Sequence, residues 1–397
     1  MATVLYLAHR LPFPPDKGDK VRTHHILRHL NERHRVLLGT FVDDSADLPS
    51  VDKVADWCAQ FRAIRLRPLW ASLRALVGLF RGEPLTLSYY RDRSLRTWVH
   101  ALRDSRALDA VVVSSSSMAP YARGLGVPVV MDFIDVDSAK WQAYAAKTRW
   151  PWSWVFARES RLLLAFERRM AMDAARSFFV TQREVALFKS LAPEAGTRVG
   201  VLGNGVDTNY FAPDPARPSP YSNDELPLVF TGTMSYRPNI DAVVWFAAEV
   251  LPRLRQRWPN LRLSVVGRSP TDEVLALAGD AVRVTGTVDD VRPWLQHAAV
   301  VVAPMQMARG IQNKILEALA MARPVVAASS CVEAIDVEPG VHLAVAADAQ
   351  DYRRQIDALL AEPERANLMG EAARVTMQLR YAWSRQLAPL NRFLEGV

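Results

Sequence analysis

Short runs of contiguous apolar residues alternate along this chain with stretches whose apolar positions recur at helical spacing. The contiguous runs read as strands buried on both faces of a parallel sheet, and the periodic stretches as helices that cover it. In the first half the runs are Thr3–Ala8, Arg35–Phe41, Ala110–Ser114, Pro128–Phe133, Ser177–Thr181 and Arg198–Leu202, with helical patterns such as Lys20–Asn31 and Arg158–Ala175 between them. Strand and helix in alternation predict a doubly wound α/β unit over residues 1–211. Residues 212–227 break the pattern with Pro213, Pro215, Pro218, Pro220 and Pro227. Proline can continue neither a helix nor a central strand, so the stretch reads as a linker. The alternation then restarts. Strands are expected at Leu228–Gly232, Leu261–Gly267, Val282–Gly286, Val300–Pro304, Pro324–Ala328 and His342–Ala347. Helices are expected at Asn239–Trp258, Asp289–Ala298 and Asn313–Met321. This predicts a second α/β domain over residues 228–375. The helical pattern continues from Ala361 to the end, and residues 376–397 are expected to cross back to the first domain. Open α/β sheets bind ligands outside the carboxyl ends of their strands, which places the expected site in a cleft there.

A length of 397 residues agrees with two cores rather than one. No run reaches the ~18 consecutive apolar residues of a membrane span. The segment Met1–His9 has no basic region before its short apolar run, so it reads as a first strand rather than a signal peptide. Cys58 and Cys331 lie in different segments and supply neither a disulfide framework nor metal-ligand spacing. That usage points to a reducing cytoplasm.

The net charge of +7 is unevenly spread. Between Arg62 and Asp109 ten arginines face four acidic residues, and between Lys140 and Arg176 eight basic residues face three. Such a surplus serves nucleic acid, an anionic membrane or an anionic substrate. The interleaved residues argue against nucleic acid. Trp70, Leu73, Leu76, Val77, Leu79 and Phe80 alternate with Arg67, Arg74 and Arg81, and Trp150, Trp152 and Trp154 follow Lys147 and Arg149. Tryptophan and arginine together suit the headgroup layer of a bilayer, and so a peripheral place on the inner face of a bacterial inner membrane. Two helices with their apolar faces in the core fit the same pattern, because periodicity does not separate a core face from a lipid face.

The most informative segment runs from Val300 to Ala328. A buried strand is followed by a loop with Gly310, Ile311 and Gln312, and a helix begins near Asn313. A loop entering a helix N-terminus offers free N–H groups and the positive end of the dipole to a diphosphate. Lys314 adds a full charge, and Glu317 lies three residues on, on the same helix face, able to accept from two ribose hydroxyls. A favourable helix-end carboxylate beside a solvated lysine is the plainer alternative.

The run from Asn313 to Val326, with Lys314, Glu317, Ala318, Ala320, Pro324 and Val325, resembles the nucleotide-sugar segment of retaining glycosyltransferase family 4. Leu202-Gly203-Asn204-Gly205-Val206-Asp207 with Phe211 and Pro213 is similar to that family's interdomain signature. Pro12-Phe13-Pro14-Pro15 leading to Gly18 is similar to its first loop, and Thr231-Gly232-Thr233 opens the second domain as the family's does. The likeness extends over nearly the whole chain. Within the family, the run from Arg309 to Lys314 and the pair Pro238-Asn239 resemble exosortase-associated sugar transferases of bacterial exopolysaccharide clusters. The resemblance implies a GT-B fold of two Rossmann-like domains. It also implies metal-independent, retaining transfer of a sugar from a nucleotide diphosphate sugar to an acceptor hydroxyl, on a saccharide or lipid-linked saccharide, and no cofactor. An epimerase on the same fold and a non-catalytic nucleotide-sugar-binding protein are the alternatives.

Two departures stand out. The family carries two glutamates eight residues apart, and the first position here is Arg309. The basic pair that usually follows the first strand of the second domain is replaced by Thr233 and Pro238. We therefore expect Arg309 and Lys314, aided by Arg237 or Arg268, to supply the lost charge, with Gly232 allowing a close approach of the donor. In the first domain the loop with Gly18, Asp19 and Lys20 is implied to face acceptor and departing phosphate. Asp135 and Asp137 have the spacing of a metal-binding pair, but the donor site already present favours Asp135 as a cleft-edge contact to acceptor or sugar, beside Lys140 and Trp141. The chain has no P-loop, no complete dinucleotide glycine fingerprint and no paired-histidine zinc spacing.

Overall fold

The computed structural model describes residues 1–306 and 310–394. It divides into two compact units, one formed by Met1–Gly203 with the chain from Leu387 onward, the other by Asn204–Gln386. The first unit is built on seven parallel strands: β1 (Thr3–Ala8), β2 (Arg35–Val42), β3 (Gln60–Arg65), β4 (Ala110–Ser114), β5 (Val129–Ile134), β6 (Arg176–Phe179) and β7 (Val199–Val201). Their order across the sheet is β3-β2-β1-β4-β5-β6-β7. The second unit has six: β8 (Leu226–Thr231), β9 (Leu261–Val266), β10 (Val282–Gly286), β11 (Val300–Ala303), β12 (Val325–Ala328) and β13 (Ala344–Ala346), in the order β10-β9-β8-β11-β12-β13. Each sheet reverses its winding once, between β1 and β4 in the first and between β8 and β11 in the second, which makes the carboxyl ends there the natural ligand positions.

The contiguous apolar runs became the central strands because they are buried on both faces. Val4 to Ala8 are fully buried, with Leu5 paired to Leu37 on one side and Val111 on the other. Strand β3 was not expected. It alternates Arg62 and Arg65 with Phe61 and Ile64 and lies at the sheet edge, where one side stays wet. The expected helix Asn239–Trp258 is two helices, Arg237–Glu249 and Leu251–Arg257, because Pro252 has no N–H to continue the first. The long helix Trp152–Asp173 starts six residues earlier than its apolar periodicity indicated.

Two domain boundaries are corrected. The proline-rich stretch 212–227 belongs with the second unit, held there by Tyr221 Oη donating to the Trp294 carbonyl (2.7 Å) and by the Asp214 N–H donating to Gln296 (3.0 Å). The tail joins the first unit only from Leu387, with Leu387 and Leu390 fully buried and Asn391 bonded to His29.

One buried ion pair bolts the first unit together. Arg22, on the first helix (Gly18–Asn31), forks onto both oxygens of Asp132 in β5 at 2.7 and 2.8 Å. The same guanidinium donates to the carbonyls of Leu202 (2.7 Å) and Gly203 (3.1 Å), so helix, central strand and chain exit share one charge.

Candidate functional site

In the second unit, three neighbouring strands end in glycines of positive φ: Gly232 after β8, Gly267 after β9 and Gly286 closing β10. The first two lie against each other. A Cβ on Gly267 would fall 1.8 Å from the Gly232 carbonyl oxygen, so only a bare backbone fits. A Cβ on Gly232 would stand 2.7 Å from the Asn239 side-chain nitrogen and 3.0 Å from Lys314 Nζ. Gly232 thus forms the floor beneath the lysine.

Lys314 lies on the first turn of the helix Asn313–Ala320, directly above the end of β8. Its ammonium donates to Asn239 Oδ1 at 2.7 Å, sits 4.0 Å from the centroid of the Phe230 ring and is 3.9 Å from Met305 Sδ. Asn239 is itself fixed, donating its amide to the Thr233 carbonyl at 2.9 Å. Burial lowers the Lys314 pKa to about 7, against the pull of Glu317. Burial raises the Glu317 carboxyl to about 7, against the pull of Lys314. Among the described residues Glu317 makes no side-chain hydrogen bond, so its oxygens are open to hydroxyl donors. The pair is a cation short of solvent beside a carboxylate short of donors, which suits a ligand carrying both phosphate and vicinal hydroxyls.

The helix is anchored at its start. Asn313 accepts from Asn204 at 3.2 Å, and Asn204 belongs to the run that enters the second unit. Gln312 is the N-cap in extended conformation, Ile311 packs against the core, and Gly310 turns the chain at φ 65°. Arg309 lies outside the described residues. Arg237 does not join this group. It is two-thirds exposed and paired with Asp241 (2.6 Å) and Glu273 (2.9 Å), so its charge is already answered. Arg268 is half-buried, and its carbonyl accepts from the Met234 N–H at 2.8 Å, tying the loops after β8 and β9.

Sequence reasoning missed Asn239, Phe230 and Gly267. Gly267 carried a readable signal, a glycine closing an apolar strand, whereas the ring under Lys314 and the amide that holds it depend on tertiary placement.

In the first unit, Gly18 opens the first helix in free space, with nothing within 4 Å of where a Cβ would stand. Asp19 is occupied by Arg10 (2.7 Å) and His9 (3.3 Å), which hold its carboxyl well below the usual range. Lys20 is corrected: it is 1% exposed and turned inward onto Asp47 (2.8 Å) and Asp16 (3.0 Å), so it cannot face a ligand. Asp135 and Asp137 are bridged by Lys140 at 2.8 and 3.2 Å, so an ammonium stands where the metal reading would place a cation. Among the described residues no group of three or more His, Cys, Asp or Glu is placed to hold a metal ion. Around this cluster the backbone is strained: Ser115 after β4 and Ile134 closing β5 have φ of 79° and 72°. A β-branched residue in that region is a conformational outlier, of the sort that accumulates at functional sites. Deeper in, Glu167 accepts from Ser138 Oγ (2.6 Å) and Ser116 Oγ (3.2 Å), and burial raises its pKa to about 8.

Residues 225–362 match the family model described as glycosyl transferases group 1, a stretch that contains the whole Gly232–Asn239–Lys314–Glu317 group. Solved structures share the fold over all or nearly all of their length. HepE of Anabaena, solved with UDP and glucose, has a TM-score of 0.69 at 15% identity, with all of both chains covered. Sucrose-phosphate synthase of Thermosynechococcus elongatus has 0.71 at 18%, covering 100% of this chain and 99% of the other. WaaG, a glycosyltransferase of lipopolysaccharide biosynthesis, has 0.67 at 18%, covering 96% and 97%. No curated protein sequence matches the chain. The fold is that of the GT-B glycosyltransferases, two Rossmann-like units with parallel sheets.

Proposed function

We propose that the protein is a retaining glycosyltransferase that moves a sugar from a nucleotide diphosphate sugar to an acceptor hydroxyl in bacterial exopolysaccharide or other cell-surface glycan synthesis. The observation that carries this reading is the Lys314 ammonium, held by Asn239 over Phe230 above the bare backbone of Gly232, with the open Glu317 carboxylate one helical turn away. The diphosphate takes the place beside Lys314 and the helix N-terminus, and the ribose hydroxyls donate to Glu317. As the glycosidic bond to phosphate breaks, negative charge grows on the departing oxygen, and preorganised Lys314 and the backbone N–H groups stabilise it. Arg309 adds charge in this reading, in place of the family's first glutamate.

The donor needs no metal ion in this scheme, and the acceptor is a saccharide or lipid-linked saccharide, contacted near Gly18 and Asp135. UDP is the first nucleotide to try, since HepE was solved with UDP and UDP-glucose.

The test is a thermal-shift comparison of UDP, GDP, ADP and their sugars, with and without EDTA, on wild type and Lys314→Met. Stabilisation by one nucleotide, unaffected by EDTA and lost in Lys314→Met, is expected. Stabilisation that EDTA abolishes moves the donor to a metal-dependent site, and no shift with any nucleotide sinks the assignment. Product analysis without acceptor then separates transfer from epimerisation.

A further inference from the structure

The helix Pro68–Phe80 of the first unit turns its apolar stripe outward. Leu69, Trp70, Leu73, Leu76, Val77 and Phe80 recur at one-face spacing and are 48–83% exposed. The opposite face meets the protein: Ala71 is fully buried, and a Cβ on Gly78 would collide with Ser88. A surface helix ordinarily faces its apolar stripe inward, so this one has its stripe on the wrong side for a freely solvated protein. A second group joins it. Trp150, Trp152 and Trp154, at the start of the helix Trp152–Asp173, are 81%, 61% and 55% exposed. One turn beyond Trp154, Arg158 donates to the Leu79 (2.9 Å) and Glu83 (3.2 Å) carbonyls, which fixes the tryptophans beside the end of the outward helix. Arg158 thus brings the two clusters, distant in sequence, to neighbouring places on the first unit.

Its rim is basic. From Gln60 to Gly82 the chain carries five arginines and no acidic residue, and from Ser138 to Arg158 four basic residues and no acidic one. Arg62, Arg65, Arg67, Arg81 and Arg149 are exposed. An apolar stripe with tryptophans and exposed arginines on its border, Asp43, Asp44 and Asp92 lying in the grooves beside Trp70, matches the headgroup boundary of an anionic bilayer in polarity and in the surplus of positive charge. A helix of 13 residues is about 20 Å long, too short to cross the ~30 Å hydrocarbon core, so it lies in the interface. Among the described residues no helix is long and apolar enough to cross a membrane.

We infer that this surface, the outward face of Pro68–Phe80 with Trp150, Trp152 and Trp154, docks the protein flat on a membrane containing anionic lipid. The inference does not depend on the transferase reading, since none of these residues belongs to the nucleotide site.

The test uses the full chain in vesicle flotation, with phosphatidylcholine vesicles and with vesicles that also contain phosphatidylglycerol. Wild type should float with the anionic vesicles, less so at high salt. The Trp70→Ser/Phe80→Ser variant should lose roughly tenfold or more in partitioning, and Arg67→Glu/Arg81→Glu should lose the preference for anionic lipid. Both should keep the wild-type circular dichroism spectrum and thermal unfolding midpoint, which report a folded chain. A measurement without variants runs alongside: brominated acyl chains should quench the wild-type tryptophan fluorescence. Failure of wild type to float or be quenched overturns the inference, as does partitioning unchanged in both variants. Sedimentation velocity that shows a concentration-dependent dimer, broken by Trp70→Ser/Phe80→Ser and with no vesicle binding, also overturns it by making the face a self-interface.

Discussion

Lys314 and Glu317 each sit in surroundings that disfavour their charge, and the proposed donor would relieve both. The folded lysine titrates near 7 rather than at its ordinary 10.5, so between those values the unfolded chain holds the extra proton and stability rises with pH. The folded glutamate also titrates near 7 rather than 4.5, so between those values the folded chain holds the extra proton and stability falls as pH rises. Binding has the opposite preference at the lysine, because the diphosphate needs it charged. Affinity for a nucleotide diphosphate sugar, whose own charge is constant near neutrality, should fall by about tenfold per pH unit above 7, until the pKa in the complex is reached. Below 7 protonation of Glu317 should weaken it again. Calorimetric titration across this range checks both limbs, and a flat profile in the wild type would count against the lysine as the phosphate ligand. Gly232 gives a steric counterpart. In Gly232→Ala a methyl pushes on Asn239 and Lys314 from a strained φ of +155°, at a cost of about 1–3 kcal/mol. Nucleotide affinity should drop by about tenfold or more, with circular dichroism unchanged. Gly267→Ala strikes backbone instead and should lower stability first.

Elements in the first unit are joined by polar groups that apolar patterning does not reveal. The central strands β1 and β4 end where their apolar runs end, because burial on both faces leaves little choice of residue. Lys20 carried no sign that it would turn inward, since its partner Asp47 lies in a short turn 27 residues away. Arg22 was equally silent, and it carries more. Arg22→Met leaves Asp132 charged and unpaired between strands, and should cost about 3–5 kcal/mol in urea unfolding. Arg22→Met/Asp132→Leu should recover much of that loss, since the pair's worth is offset by its own desolvation. Glu167 makes a second element-level test. Its carboxyl titrates near 8 when folded and at 4.5 in its ordinary state, so the folded chain holds the extra proton in between. Stability should therefore fall as pH rises across that window, and Glu167→Gln should flatten the fall. Unfolding midpoints at acid, neutral and mildly alkaline pH decide it, and equal slopes in both proteins would refute the protonated carboxyl.

At the scale of the whole molecule, the repeat of strand and helix made two Rossmann-like units legible, but not where one stops. Proline at residues 212–227 marks a segment that is neither helix nor strand, and a segment of that kind can pack on a unit as well as link two. Here Tyr221 and Asp214 pack it onto the second. The chain's return to the first unit is carried by Leu387, Leu390 and Leu394, which are 0–2% exposed, and by the bond from His29 to Asn391. Each buried leucine stabilises by about 1.5–3 kcal/mol, so removing residues 387–397 should cost the first unit about 4 kcal/mol or more. The proposed donor group, Gly232, Asn239, Lys314 and Glu317, lies wholly within Asn204–Gln386 and should be spared. Differential scanning calorimetry of the truncated chain should show a component moved to lower temperature that nucleotide does not shift. A second component should keep its nucleotide-dependent rise. If the nucleotide shift disappears together with the tail, the donor site depends on the first unit, and the two units cannot be treated as separate in binding.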